Sequence, residues 1–478
     1  MWSQPVSQRA IIVAGCLGTI YTYLTMSPAT VEFARSLGAT GWHIGILGAL
    51  PMAMLFTQFL AAVLANHLTY RRRAWFWMSI AERLSFLPLA LGPWLLPECS
   101  DATWLWLLIV LTAANHAMLN FSSPLWLSWM GDYLPHAGLS RYWGIRHLWM
   151  QLSAAVALFA GAVFLLKGGF DIRPAFSLMM GAGAVFGIAD ILTFIKVDEH
   201  PVTPMPEPKL REVLTSPFRD GDFRSFICFS CFWNVAAMTS SPFISFFLLG
   251  YVGMDVYHVM LLWTYSWLGG AFYSKRIGQL VEQFGNRPVL VLSTAFKSVN
   301  MIALIVVPRD PVIAFWIMVP IFMLDAVLNA GITIANNGFM IKNSPAQNRT
   351  MFIAAGTAMA GMAGGVASVA TGAVLAMTSD WSYLWGSTVV TNLHIAFAVS
   401  LVLRLAAAVL ARRVREPKSQ HTIDVVVRLI GVAPIRVMRY PVGLYRSIRN
   451  DGGHRQASRA RRPATRAMAT SEREIRYE

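Results

Sequence analysis

Long apolar runs of about twenty residues alternate with short polar stretches along most of this chain. They fall near residues 9–31, 42–66, 74–96, 103–126, 147–167, 174–196, 224–249, 256–278, 288–307, 311–337, 350–377 and 384–411. About 20 apolar residues in a helix cross the hydrocarbon core of a bilayer. At that depth a helix satisfies its own backbone hydrogen bonds within one segment. The pattern predicts twelve transmembrane helices, numbered below as spans 1 to 12, in an all-α integral membrane protein. The longest internal polar stretch, VDEHPVTPMPEPKLREVLTSPFRDGDFR, is rich in proline and charge and separates six spans from six. The expected organisation is a six-helix bundle over residues 1–196, a linker over 197–223, a second bundle over 224–411 and a basic tail over 412–478.

The two sets of six spans echo one another. TMSPATVEF, starting at Thr25, matches TSSPFISFF, starting at Thr239, and His43 matches His258, at an offset of 214 to 215 residues. After spans 4 and 10 the match continues at an offset of 210, pairing Met130 with Met340 and Pro135 with Pro345. A fixed long period is the mark of a duplication. Here it predicts two pseudo-symmetric bundles related by a parallel repeat, an arrangement used by transporters whose halves rock around a central site.

Composition agrees with burial in lipid. Hydrophobic residues make up 56% of the 478 and charged residues only 13%, about half the charged share of a soluble domain. The first apolar run is too long for a cleaved signal and reads as a retained span. Arg9, Arg71, Arg72, Arg73, Arg141, Arg146, Lys196, Lys209, Lys275, Arg276, Arg287, Lys342 and Arg349 flank one set of span ends, whereas Arg35, Lys167, Arg173 and Arg309 flank the other. The positive-inside rule then places both termini in the cytoplasm, and that topology, the compact loops and the lack of organelle-targeting features lead to the expectation of a bacterial inner membrane. The tail carries most of the formal charge of +15 and mixes apolar residues with arginines. An amphipathic segment on anionic lipid is its expected role, with nucleic acid excluded and the last residues disordered. The four cysteines form no disulfide or metal pattern, and Cys228-x-x-Cys231 lies inside an apolar run.

GQLVEQFGNRP, between spans 8 and 9, resembles the signature loop of the major facilitator superfamily. Its Gly278, Glu282, Gly285 and Arg287 occupy the expected places, while Asn286 stands where a basic residue is common. The first-half copy is degraded, with Asn66 and Thr69 at the acidic and glycine positions, but Arg71 to Arg73 keep its charge. The resemblance covers about residues 9–411. It implies a secondary active transporter, moving a small solute by alternating access between two bundles, proton-coupled, monomeric, without cofactor or metal, and not an enzyme. By symmetry Glu282 is expected to latch onto the start of span 5, near Arg141 or Arg146; the alternative is a solvated loop carboxylate. A non-transporting sensor or scaffold that signals through the basic tail is the competing function.

Ionisable and amide groups at membrane depth supply the site candidates. Asp325 in span 10 is followed by Asn329 and Asn336 on one helical face, and its repeat counterpart in span 4 is Asn115, beside His116 and near Asn120. These residues either line a cavity that carries substrate and proton, with Asp325 or His116 as proton carrier, or form a cluster of helix–helix hydrogen bonds. Glu32, near the end of span 1, is a gate or substrate contact or else a simple interfacial carboxylate. Arg83 and Asp190 lie at similar depths in spans 3 and 6 and are expected to form a structural ion pair. Lys297 and Arg404, with no evident acidic partner, are expected to snorkel towards the membrane surface. Pro28 and Pro242 are expected to kink spans 1 and 7, as hinges or as relics of duplication.

Overall fold

A computed structural model of the chain describes residues 6–134, 139–199, 201, 221–343, 349–386 and 388–414. The expected tail segment and most of the linker lie outside them. The described residues are almost entirely helical, and helices occur at every one of the expected spans. Among the described residues, nine stretches are long and apolar enough to cross a membrane, from Val6–Ser36 through Asp101–Gly131 to Asn392–Ala411. The chain is therefore a multi-pass membrane protein.

Several spans are interrupted, and the interruptions follow the sequence. Span 1 is built from Val6–Thr25 and Pro28–Ser36, because proline at residue 28 removes a backbone donor and starts a new helix. The carbonyl of Thr25, freed by the break, accepts a hydrogen bond from Thr30 Oγ1 at 2.9 Å. Span 7 breaks at the matching TSSP motif into Gly221–Met238 and Phe243–Gly250. Both kinks expected from the repeat are thus present as helix breaks. Span 2 runs as Gly41–Ala53 and Thr57–His67 around a tight turn that follows Pro51. Span 3 runs as Arg72–Leu84 and Leu87–Leu95, and span 9 as Asn286–Phe296 and Ser298–Val306, with Lys297 at its joint. Spans 4, 5, 6, 8, 10, 11 and 12 are Asp101–Tyr133, Leu139–Lys167, Ile172–Thr193, Val256–Phe284, Pro311–Asn343, Arg349–Met377 and Asn392–Ala411. Between spans 11 and 12 sits a feature the apolar pattern did not predict, a small antiparallel hairpin of β1 (Ser382–Trp385) and β2 (Thr388–Thr391).

Contacts between the first and second halves of the chain run through spans 2 with 11 and spans 5 with 8. Small residues make the approach possible. A Cβ added to Gly45 would lie 2.8 Å from the Ser368 carbonyl oxygen and 2.9 Å from the Gly372 Cα. Helix backbones at that separation leave no room for side chains, so close packing replaces the hydrophobic drive that lipid does not provide. At the same end of the molecule Phe243–Gly250 packs against Pro28–Ser36, with Gly250 beside the Arg35 guanidinium. A buried apolar core that includes Tyr21, Phe33, Phe176, Phe243, Phe247 and Met260 joins residues of both halves.

The joint between spans 8 and 9 has the backbone that its sequence requires. Gly285 takes φ +94°, a left-handed conformation favourable only to glycine, and so turns Val256–Phe284 into Asn286–Phe296. Gly278 lies within the helix and takes no part in the turn.

Candidate functional site

A cavity of about 560 Å³ opens among spans 5, 7, 8, 9, 10 and 12, a size typical of small-ligand sites. Its polar wall is one connected network. Lys297 Nζ lies 3.2 Å from Asp325 Oδ1 and also donates to Asn329 Oδ1. Asn300 donates to the same carboxylate, and Asn329 Nδ2 donates to Asp325 Oδ2 at 2.7 Å. Helical spacing puts Asp325 and Asn329 on one face of span 10. The break in span 9 exposes the Lys297 carbonyl, and Arg404 Nη1 donates to it at 3.1 Å. Arg404 also reaches Ser400 and Ser240, at 3.2 and 3.0 Å. Trp233, Trp263, Trp267 and Phe322 supply the apolar wall, and His147 and Gln151 face it from the first half.

Lys297 and Arg404 correct the expectation of snorkelling. Both turn inward, where they are 6% and 1% exposed. The physical reason is the partners: a carboxylate, amides, hydroxyls and a freed carbonyl compensate these cations inside the bundle, which lipid would not. Apolar flanks in the sequence concealed this, because depth along a helix does not reveal which face a side chain occupies.

The other span 4 and span 10 candidates separate. Asn336 does not line the cavity, and its buried Oδ1 has no hydrogen-bond partner among the described residues. Asn115 is fully buried in the first half, where its Nδ2 donates to Tyr21 Oη, the Glu82 carbonyl and Ser85 Oγ. Asn120 accepts from Gln58 Nε2 at 3.0 Å and donates to the His116 carbonyl, tying span 2 to span 4. His116 is buried and faces neither this cavity nor the one described next. In span 4 the geometry is that of a helix–helix hydrogen-bond cluster, whereas Asp325 and Asn329 face open space.

Arg83 Nη2 donates to Asp190 Oδ2 at 2.9 Å, the expected pairing of spans 3 and 6. Arg83 also pairs with Glu82, and its guanidinium lies over the Tyr21 ring at 4.3 Å. Glu82, Arg83 and Asp190 border a smaller cavity of about 220 Å³, together with Gly18, Thr22 and Arg146. Arg146 is turned into this cavity, between Trp126 and Trp143, with centroid distances of 4.9 and 5.3 Å. Aromatic faces hold the cation there. The side chains of Glu282 and Arg141 lie outside the described residues. Arg287 donates to the Arg412 carbonyl at 2.5 Å, which ties the loop to the end of span 12. In the first half the corresponding anchor is Glu199, which the sequence did not single out: it accepts from the backbone N–H groups of Arg71 and Arg72.

Glu32 pairs with Arg35 at 2.5 Å. The pair borders a recess with Leu166, Asp255 and Tyr257 at the end of the molecule where spans 1 and 7 meet.

Comparison with known proteins bears on this geometry. A search of curated proteins finds no match. The fold resembles the nucleoside transporter NupG, with a TM-score of 0.62, 14% identity, and coverage of 86% of this chain and 98% of that one. It resembles the xylose transporter XylE from E. coli in a partially occluded inward open conformation, with a TM-score of 0.64, 12% identity, and coverage of 87% and 100%. A D-xylose-proton symporter gives 0.65 at 13% identity, covering 86% and 98%. The family model of the Major Facilitator Superfamily matches residues 10–368. With the helical fold, the internal repeat and the cavity at membrane depth, that match places the chain: it belongs to the Major Facilitator Superfamily.

Proposed function

We propose that the protein is a secondary active transporter that carries a small solute through the Lys297–Asp325 cavity by alternating access. One observation carries the reading: an ion pair at membrane depth opens onto a space bordered by both halves of the chain, through His147 and Gln151 on one side and spans 7, 8, 9, 10 and 12 on the other. An ionisable group there is costly unless it works. Fold neighbours that include a D-xylose-proton symporter support this class of activity.

Asp325 is the proton carrier in this reading. Protonation neutralises the carboxylate and breaks its pairing with Lys297, so the charge that holds spans 9 and 10 together changes with proton binding. The groups that face it are Lys297 and Asn300 from span 9, Asn329 on its own helix and Arg404 across span 12. The two six-helix bundles rock about spans 2, 5, 8 and 11, with the breaks at Pro28 and Pro242 as hinges and Glu282 closing onto the start of span 5 near Arg141. The positive-inside pattern supports cytoplasmic termini, and the same reading sets the chain in a bacterial inner membrane with the basic tail on anionic lipid.

A substrate-independent experiment tests the reading. Spin labels at Leu166 and Asp255 report the gap at the Arg35 end, and labels at Tyr70 and Arg412 report the opposite end. Alternating access predicts two distance populations at each pair, anticorrelated between the ends and shifted by pH. Asp325→Asn should remove the pH shift. A single unchanging distance at both ends would refute it.

A further inference from the structure

The repeat offset of 214 residues, applied to the buried charges, carries Arg83 onto Lys297 and Asp190 onto Arg404. The structure keeps both pairs of positions in contact. Arg83 donates to the Asp190 carboxylate in the first half, and Arg404 donates to the Lys297 carbonyl in the second. Duplication therefore preserved the place but not the charge. Where the first half sets a cation against an anion, the second sets two cations side by side.

The charges lining the Lys297–Asp325 cavity do not balance. Lys297, Asp325 and Arg404 are the lysine, arginine and carboxylate side chains lining the cavity among the described residues. Asp325 is bonded to Lys297, and Arg404 has no carboxylate within ion-pair distance among those residues. One positive charge is left over in a site walled by Trp233, Trp263 and Trp267. An uncompensated charge is expensive in such surroundings, and an entering counter-ion removes that cost. The unpaired polar atoms are also suited to a ligand. Among the described residues Trp263 Nε1 is a buried donor without a partner, and Gln151 Oε1 and Asn300 Oδ1 are acceptors without one.

We propose that this cavity takes an organic anion, its carboxylate seated between Arg404 and Lys297, its hydroxyl or amide donors on Gln151 and Asn300, and its apolar body against the tryptophans. As cargo, the anion rests on the transporter reading above; as a bound ligand it does not. A protonated Asp325 releases Lys297 to the anion, so proton and anion enter together.

The test uses the purified full chain in detergent and matched probe sets on phenyl, hexyl and pyranose skeletons. Each set holds a carboxylate, its neutral amide and its amine, at millimolar concentration. A carboxylate is expected to raise the unfolding midpoint by about 1–3 °C, its amide and amine not at all. The shift should disappear in Arg404→Gln and Lys297→Gln and persist in part in the charge-keeping Arg404→Lys and Lys297→Arg, which also show that loss does not come from misfolding. It should grow as pH falls. Stabilisation by the amines, or by none of the carboxylates, would overturn the assignment and leave alternating access, measured by spin labels, untouched. Anionic phosphatidylglycerol serves as a further arm. A shift by that lipid alone, lost in Arg404→Gln, would assign the cations to a lipid headgroup and overturn the solute.

Discussion

The ammonium of Lys297 lies 3.2 Å from the carboxylate of Asp325, joining the broken span 9 to the continuous span 10 across the wall of a cavity at membrane depth. The pair is asymmetric. The Lys297 side chain is 7% exposed and that of Asp325 29%, so the carboxylate meets the cavity more openly than the cation.

That asymmetry sets the cost of breaking the pair. Removing one partner of a buried pair costs about 3–5 kcal/mol, and the exposure of Asp325 reduces this to about 1–2 kcal/mol for Asp325→Asn. The lysine left behind is the source of the loss, so Lys297→Gln combined with Asp325→Asn should recover most of it. Unfolding midpoints of the two single variants and the double variant in detergent give the coupling. Additive losses would show that the two groups do not interact.

Arg83 and Asp190 should behave differently, because both are nearly enclosed. Asp190→Asn is expected to destabilise by about 3–5 kcal/mol. Gly187→Ala should also destabilise, by about 1–3 kcal/mol, since a Cβ there would lie 2.4 Å from Arg83 Cδ. Thermal unfolding measures both. Ligand stabilisation assigned to the second-half cavity should survive in Asp190→Asn; its loss would make the first-half pair part of the binding site.

The paired helix breaks give a kinetic prediction. Pro28→Ala with Pro242→Ala lets both helices close their hydrogen-bond ladders. Exchange between the two end-open states, followed by single-molecule fluorescence, should slow about tenfold, the equivalent of about 1.4 kcal/mol in the barrier. An unchanged rate would make the prolines relics of duplication.

Glycine contacts between spans 2 and 11 give a prediction about population. A Cβ at Gly372 would lie 2.7 Å from the Gly41 carbonyl oxygen, which is backbone and cannot turn aside. Gly372→Ala should therefore weaken closure at the Arg35 end and widen the Leu166–Asp255 distance distribution. A tenfold change in the ratio of states corresponds to about 1.4 kcal/mol. A narrower distribution would place the glycine pair outside the closure.

Much of the fold was legible in the sequence, since apolar length marks a span and the TxSP pair marks its break. Asp325 stood out because a carboxylate inside an apolar run has few structural excuses, and it lies on the cavity wall. Lys297 and Arg404 were not, because their depth could be read but their facing could not. The signal was nevertheless present: both stand 214 residues beyond Arg83 and Asp190. Asn115 and Asn120 take the other of the two arrangements the sequence left open, the helix–helix hydrogen-bond cluster. An amide at depth reads like cavity lining, yet Tyr21 and Gln58, remote in sequence, absorb these two. Such long-range pairings arise only from packing. The hairpin β1–β2 escaped for another reason, since its four-residue strands resemble the flank of an apolar span.

The most direct measurement is sided labelling of one cavity residue. In a background with Cys16, Cys99, Cys228 and Cys231 replaced by serine, Ala326→Cys places a thiol on the cavity wall. A membrane-impermeant maleimide is applied to right-side-out and to inverted vesicles, with and without a pH gradient. Alternating access predicts labelling from both sides, with the two rates moving in opposite directions as the gradient is reversed. Labelling confined to one side under every gradient would contradict transport through this cavity.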